Sequence, residues 1–151
     1  DKLVNKKITE IAQQISNLTG WKIINIGQKE YMRLNIFKKS IFDAGPTEFL
    51  GLFENASFVV TNSFHGTAFS VIYRKPFFVP INNNLPPEKA LGSRIITLLK
   101  NLKLEDRMVS IEEEISQDNL FKLNYKVSEK ILEQQKQNSI SFLQNALRED
   151  E

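Results

Sequence analysis

Apolar residues at the start of the chain fall into helical spacing. Val4, Ile8, Ile11, Ile15 and Leu18 recur every three or four positions, which predicts an amphipathic helix closed by Gly20. Trp21 to Ile26 then reads as a short buried strand. Residues 27–44 mix Lys, Tyr, Phe and Asn without a clean period, so they read as a long loop or short irregular elements. Pro46 after Gly45 suits a first helical position, and Phe49, Leu50, Leu52, Phe53 and Ala56 supply an apolar face. Ser57 to Thr61 is β-branched and apolar enough for a second strand. A helix over 64–74 follows, ended by Pro76. Phe77, Phe78 and Val79 make a third strand, stopped by Pro80 and the polar run Asn82-Asn83-Asn84.

Beyond that loop, Leu91, Ile95, Leu98, Leu99 and Leu102 predict another amphipathic helix, with Arg94 near its start. Met108 to Ser110 reads as a short edge strand. From about Tyr125 to Leu147 a long helix carries Val127, Ile131, Leu132, Ile140, Leu143 and Leu147 between Lys, Gln and Glu, a solvated face over an apolar stripe. Helices and strands alternate along the whole chain, which is the signature of an α/β domain with a parallel sheet flanked by helices on both faces. Such a sheet normally opens on a strand, and here the first element is a helix. The leading strand is expected upstream of Asp1, or the first helix packs differently. We read the chain as a piece of a longer protein.

Composition narrows the function classes. With 151 residues the chain is one domain with room for a sizeable core, and its charged fraction of 25% is that of an ordinary globular protein. Lys and Arg total 20 against 18 Asp and Glu, a net charge of +2 with no basic run, so no nucleic-acid partner is expected. Zero cysteines exclude disulfides and thiolate metal sites and fit a reducing compartment; one histidine and no acidic cluster argue against a bound metal. No apolar run approaches the roughly 18–20 residues of a membrane span.

The chemistry concentrates at one junction. After the strand ending at Thr61 come Asn62, Ser63, Phe64, His65, Gly66 and Thr67, and then a helix of small residues. In a parallel sheet this is the C-terminal end of a strand, where ligands bind. Asn62 or Ser63 can cap the helix, whose free N–H groups favour anions. Gly66 removes a side chain where a ligand would approach the backbone, and Thr67 keeps the first turn slim. His65, the single histidine, is the titratable group placed there. The bland reading is a capped helix with a surface histidine. Arg94 at the start of an amphipathic helix reads first as a solvated or salt-bridged surface cation, with a fork for an anion as its functional alternative, and Glu48 most simply answers its own helix dipole.

Three blocks carry a resemblance. Gly45-Pro46-Thr47-Glu48-Phe49-Leu50, the run from Ala56 to Ser70 with Asn62-Ser63-Phe64-His65-Gly66-Thr67 at its centre, and Lys75-Pro76-Phe77 together resemble the polysaccharide pyruvyl transferase family. Ser93-Arg94-Ile95 and Leu104-Glu105-Asp106-Arg107 are similar to the tail of that family. The resemblance covers about Gly45 to Arg107, and the terminal helices loosely. It implies that residues 1–151 form a single Rossmann-like domain, the C-terminal, donor-binding half of a two-domain GT-B-type fold. The N-terminal half of the same enzyme would then be a partner outside this chain, and the last helix would cross toward it.

What the resemblance implies about activity follows from there. Such enzymes take phosphoenolpyruvate as donor and place pyruvate as a ketal on a sugar of a bacterial cell-surface polysaccharide, the acceptor being a saccharide or a lipid-linked glycan. No cofactor and no metal are expected. The location would be cytoplasmic or peripheral to the inner membrane. His65 would be the catalytic acid or base, with Asn62, Ser63, Phe64, Gly66, Thr67, Arg94 and Glu48 around the donor. Several members carry Arg where this chain has Ser63, so a carboxylate-binding arginine must come from elsewhere or the donor differs. Two alternatives stand beside this: a GT-B glycosyltransferase with a nucleotide-sugar donor, and a non-catalytic module that binds an anionic sugar.

Overall fold

The computed structural model describes residues 2–27, 39–41, 43–85 and 93–148. Its elements are α1 (Lys2–Thr19), β1 (Ile24–Ile26), β2 (Lys39–Ile41), α2 (Pro46–Asn55), β3 (Val59–Val60), α3 (Phe64–Ile72), β4 (Phe77–Ile81), α4 (Ser93–Leu102), β5 (Met108–Ser110), α5 (Gln117–Leu120) and α6 (Lys126–Arg148). A single 3-10 turn, Glu105–Arg107, leads into β5. β3, β4 and β5 form one parallel sheet in that order, and β1 pairs with β2 in a second parallel sheet. The architecture is therefore mixed α/β with parallel sheets flanked by helices. Where one continuous sheet was expected, two are present among the described residues.

Strand alternation decides which helix covers which face. Successive side chains of β4 point to opposite sides. Phe77 and Val79 join Val71 of α3 and Ile95, Leu99 and Leu102 of α4 in one buried cluster. Phe78 turns the other way, to Ile11 and Ile15 of α1, Val109 and Leu120. Both crossover helices thus lie on one face, and α1 with α5 on the other. α2 stays outside this sandwich, held by a triangle of rings: Phe49–Phe53 at 4.9 Å, Phe49–Phe69 at 5.7 Å and Phe53–Phe69 at 5.8 Å between centroids.

Pro80 does not stop β4; it is buried within the strand. The ladder explains why. Phe78 accepts from Thr61 N at 3.1 Å, so residues 76, 78 and 80 turn their backbone groups toward β3, whereas Ile81 accepts from Ile111 N on the β5 side at 3.0 Å. β3 has ended by the level of Pro80, and the missing N–H costs no ladder bond.

Three other expectations need correction. Residues 24–26 do form a strand, but Ile24 and Ile26 are 47% and 38% exposed, because only β2 pairs with them. A cavity of about 610 Å³ lies between β1 and the α1, α2 and β3 walls. Residues 39–41, inside the stretch read as loop, pair with β1; 28–38 and 42 lie outside the described residues, as does Leu91 of the fourth predicted helix. Finally, only the first half of α6 is docked: buried Ser128 donates its hydroxyl to Leu102 O at 2.9 Å, and Ile131 packs on the α3–α4 cluster. In the second half Phe142, Leu143 and Leu147 are 72%, 59% and 73% exposed, so the apolar stripe covers nothing among the described residues.

Candidate functional site

The turn between β3 and α3 is built by side-chain oxygens that replace missing backbone partners. Thr61 carries the ladder one residue past β3, and its Oγ1 accepts from Ser63 N at 3.1 Å. Ser63 is the N-cap, with extended backbone and Oγ accepting from Gly66 N at 3.4 Å. Asn62 reaches sideways: its Nδ2 donates to Asn5 Oδ1 at 3.1 Å, tying the turn to the first turns of α1.

Gly66 is needed here for packing. A Cβ at this position would stand 2.4 Å from Thr61 Oγ1 and 3.1 Å from two Thr61 carbons. The space that the sequence suggested for a ligand is filled by the Thr61 side chain. Thr67 is likewise fully buried, with its hydroxyl donating to Ser63 O at 2.9 Å, and Ser70 Oγ donates to Gly66 O at 2.8 Å. Gly66 and Thr67 therefore shape the helix start and present no free side chain.

The groups that do reach solvent are Ser63, His65 and Arg94. Phe64 links two of them. Its ring meets the His65 imidazole edge-on with centroids 5.9 Å apart, and the Arg94 guanidinium lies over it at 5.1 Å. Arg94 is the second residue of α4, so the fold brings the first turns of two helices beside one aromatic ring. An imidazole that can exchange protons and a guanidinium that can fork onto a carboxylate or phosphate stand together at the C-terminal end of a strand, where two helix N-termini add positive potential. Thr61, Asn62, Ser63 and Gly66 also line the 610 Å³ cavity, whose volume accommodates a small anion or a sugar unit.

Glu48 is not joined to this group by any such contact. Its Oε2 accepts from Gly45 N at 3.1 Å, half of a capping box that Gly45, lacking a side chain, cannot complete. Among the described residues no group of three or more His, Asp or Glu could hold a metal, and no helix is long and apolar enough to cross a membrane. Sequence reasoning missed Asn5, which the helical pattern marks only as a polar-face residue. It also missed Thr61 as the reason for Gly66, although a strand ending in Thr-Asn-Ser signals a turn whose hydroxyls are spent locally.

A family model described as polysaccharide pyruvyl transferase matches residues 1–84, which is 84 of 151 positions. The match takes in the turn and β4 and ends before Ser93-Arg94. No curated protein and no solved structure matches the chain.

Proposed function

The chain belongs to the polysaccharide pyruvyl transferase family, and from that premise we propose that it is the donor-binding half of an enzyme moving pyruvate from phosphoenolpyruvate onto a sugar of a cell-surface polysaccharide. Family membership supports a transferase acting on a polysaccharide; the donor, the GT-B frame and the residue roles are our own reading. In that frame the exposed stripe of α6 is the surface an N-terminal half would cover, and the enzyme works in the cytoplasm or at the inner face of the membrane. The observation that carries the reading is the grouping of His65 and Arg94 on either contact of Phe64.

The chemistry balances with these groups alone. Two sugar hydroxyls add to C2 of the donor, the C2–O bond to phosphate breaks, and C3 takes one proton to become a methyl. Of the two hydroxyl protons, one replaces that taken up at C3 and the other leaves with phosphate. His65 protonates C3 or accepts a hydroxyl proton. Arg94 holds the donor carboxylate or phosphate, supplying the cation that Ser63 does not. Asn62 and Ser63 edge the cavity beside it, Gly66 and Thr67 keep the turn in shape, and Glu48 fixes the start of α2.

In the intact enzyme His65→Ala is expected to lower kcat by about 10²–10⁴ with donor binding retained, as read from phosphate release and donor titration. Near-normal turnover would remove the catalytic role. Because His65 is the sole histidine, its proton resonance also separates the donors. A shift with phosphoenolpyruvate supports the pyruvyl reading; a shift only with a nucleotide sugar supports the glycosyltransferase alternative.

A further inference from the structure

The cavity beside the β3–α3 turn is bounded by two strand edges. Ile24, Asn25 and Ile26 line it from one side and Phe58, Val60 and Asn62 from the other. No described residue of β4 lines it, and neither does Ser40 or Ile41 of β2. β1 therefore stands between the cavity and β2, and β3 between the cavity and β4. The ladders show which backbone groups are left over. Val59 N donates to Pro76 O at 2.9 Å and Thr61 N to Phe78 O at 3.1 Å, so Phe58, Val60 and Asn62 turn their backbone groups away from β4. Gly27 N donates to Ile41 O at 3.2 Å, so Ile24 and Ile26 turn theirs away from β2. The two sets face each other across the cavity.

These strands also run the same way. Asn5, near the start of α1, bonds Asn62 at the C-terminal end of β3. Past the other end of that helix Trp21 meets Phe121, and Phe121 meets Phe58 at the start of β3, at 5.7 and 5.9 Å between centroids. α1 is thus antiparallel to β3, and β1, which returns along the same cavity, is parallel to it. One register then uses all the free groups. With Asn25 opposite Val60, Val60 N reaches Ile24 O, Ile26 N reaches Val60 O and Asn62 N reaches Ile26 O. The side chains sort correctly as well, since paired residues share a face. Val60 packs on the α1 side with Ile11 and Ile15. Asn25 joins it there, bringing a buried Nδ2 that has no partner among the described residues toward the hydroxyl oxygens of Thr9 and Ser16. Ile24 and Ile26 go to the other side, toward Phe49 and Phe53 of α2. A slip of one residue would reverse both faces.

We propose that this cavity is a seam: β1 closes onto β3 in that register, joining the two sheets in the order β2-β1-β3-β4-β5, and donor binding drives the closure. Gly20 and Gly27 bracket β1 at φ 73 and 148, and a Cβ at either would meet nothing within 4 Å. The strand is therefore held at both ends by backbone that can turn. In the joined sheet the chain passes from β1 to β2 on one side and from β3 to β4 on the other. The β1–β3 boundary is then the topological switch point, where ligands sit outside the carboxyl ends of the strands. Gly27 falls opposite Asn62, so closure sets a second wall against the turn that bears Ser63 and His65. An anion held between the walls contacts both only after closure, and so favours the joined sheet. The inference rests on the donor-site reading and adds how that site is assembled.

The chain has no cysteine, so a pair placed across the seam reports alone. Paired strands lie about 4.8 Å apart, within the span of a disulfide. In the intact protein Asn25→Cys/Val60→Cys should oxidise to a crosslink, about tenfold faster with phosphoenolpyruvate. Asn25→Cys/Ser57→Cys, out of register, should stay reduced. The unsubstituted protein gives a second reading: phosphoenolpyruvate should slow deuterium exchange at the Val60 and Ile26 amides. That slowing upholds closure even where the cysteine variants fail to fold. No donor-dependent change in crosslinking or in amide exchange overturns the proposal, and equal crosslinking from Ser57 does so too. The His65 resonance separates this from the donor reading. A shift with phosphoenolpyruvate while the seam stays unpaired removes the closure alone. Closure driven by a nucleotide sugar and not by phosphoenolpyruvate upholds the seam and removes the donor.

Discussion

Strands β4 and β1 both carry large apolar side chains and meet opposite environments. Phe77, Phe78 and Val79 are at most 2% exposed, while Ile24 and Ile26 are 47% and 38% exposed. β4 is apolar throughout and β1 is Ile24 and Ile26 around Asn25, and both pair in parallel. β4 has a strand on each edge and helices on each face; β1 has β2 on one edge and a cavity nearby. An apolar run predicts extended backbone, and its neighbours decide whether that backbone is covered.

The widest gap between the two should appear on truncation. Phe77→Ala is expected to cost about 3–5 kcal/mol, since the hole it leaves is enclosed on both faces, whereas Ile24→Ala should cost under about 1 kcal/mol. Urea denaturation of both variants checks the pair, and equal losses would mean that β1 is as well covered as β4. A smaller effect probes the turn that extends β3. Gly66→Ala is expected to cost about 1–3 kcal/mol through its collision with Thr61, and part of that loss should return in the Thr61→Ala/Gly66→Ala double variant. Full additivity in that cycle would show that Thr61 is not the obstacle.

The smallest effect is alkaline. The Tyr125 hydroxyl reaches Lys75 O at 2.8 Å and Ser70 O at 3.3 Å, and burial holds its pKa well above the ordinary phenol value, with Arg107 pulling slightly back. The folded state thus favours the protonated form. Its contribution is complete below the unfolded value of about 10 and is lost as the pH climbs above it, because the unfolded chain then gives up a proton that the folded one keeps. Tyr125→Phe should cost about 1 kcal/mol at neutral pH and flatten the decline between pH 9 and roughly pH 11. Ile24→Ala in β1 should leave that decline unchanged.

Much of the fold was legible because it is periodic. Every third or fourth residue of α1, and the Gly45-Pro46 and Ser63 starts of α2 and α3, predict elements close to those observed. Strand β2 was not legible: Lys39-Ser40-Ile41 is too short to show alternation, and only its pairing with Ile24–Ile26 makes it a strand. α5 escaped for the same reason, being a single turn. At the turn, the order of residues revealed the cap, while the approach of Thr61 to Gly66 and of Arg94 to Phe64 depends on how distant segments close. Arg94 is thirty residues from Phe64 in sequence, and no local pattern joins them.

The three strands of the larger sheet come one after another in the chain, β3 and β4 joined through α3, and β4 and β5 through α4 and the 3-10 turn. Val59 to Ser110 is therefore an uninterrupted stretch that holds the buried cluster around Phe77, Val79, Ile95 and Leu99. Its parallel pairings, Val59 with Phe77 and Val79 with Met108, each cross a helix and close wholly within the stretch. During synthesis this centre would leave the ribosome before α6 does. The long helix would then arrive after it, docking by Ser128 on a surface already in place.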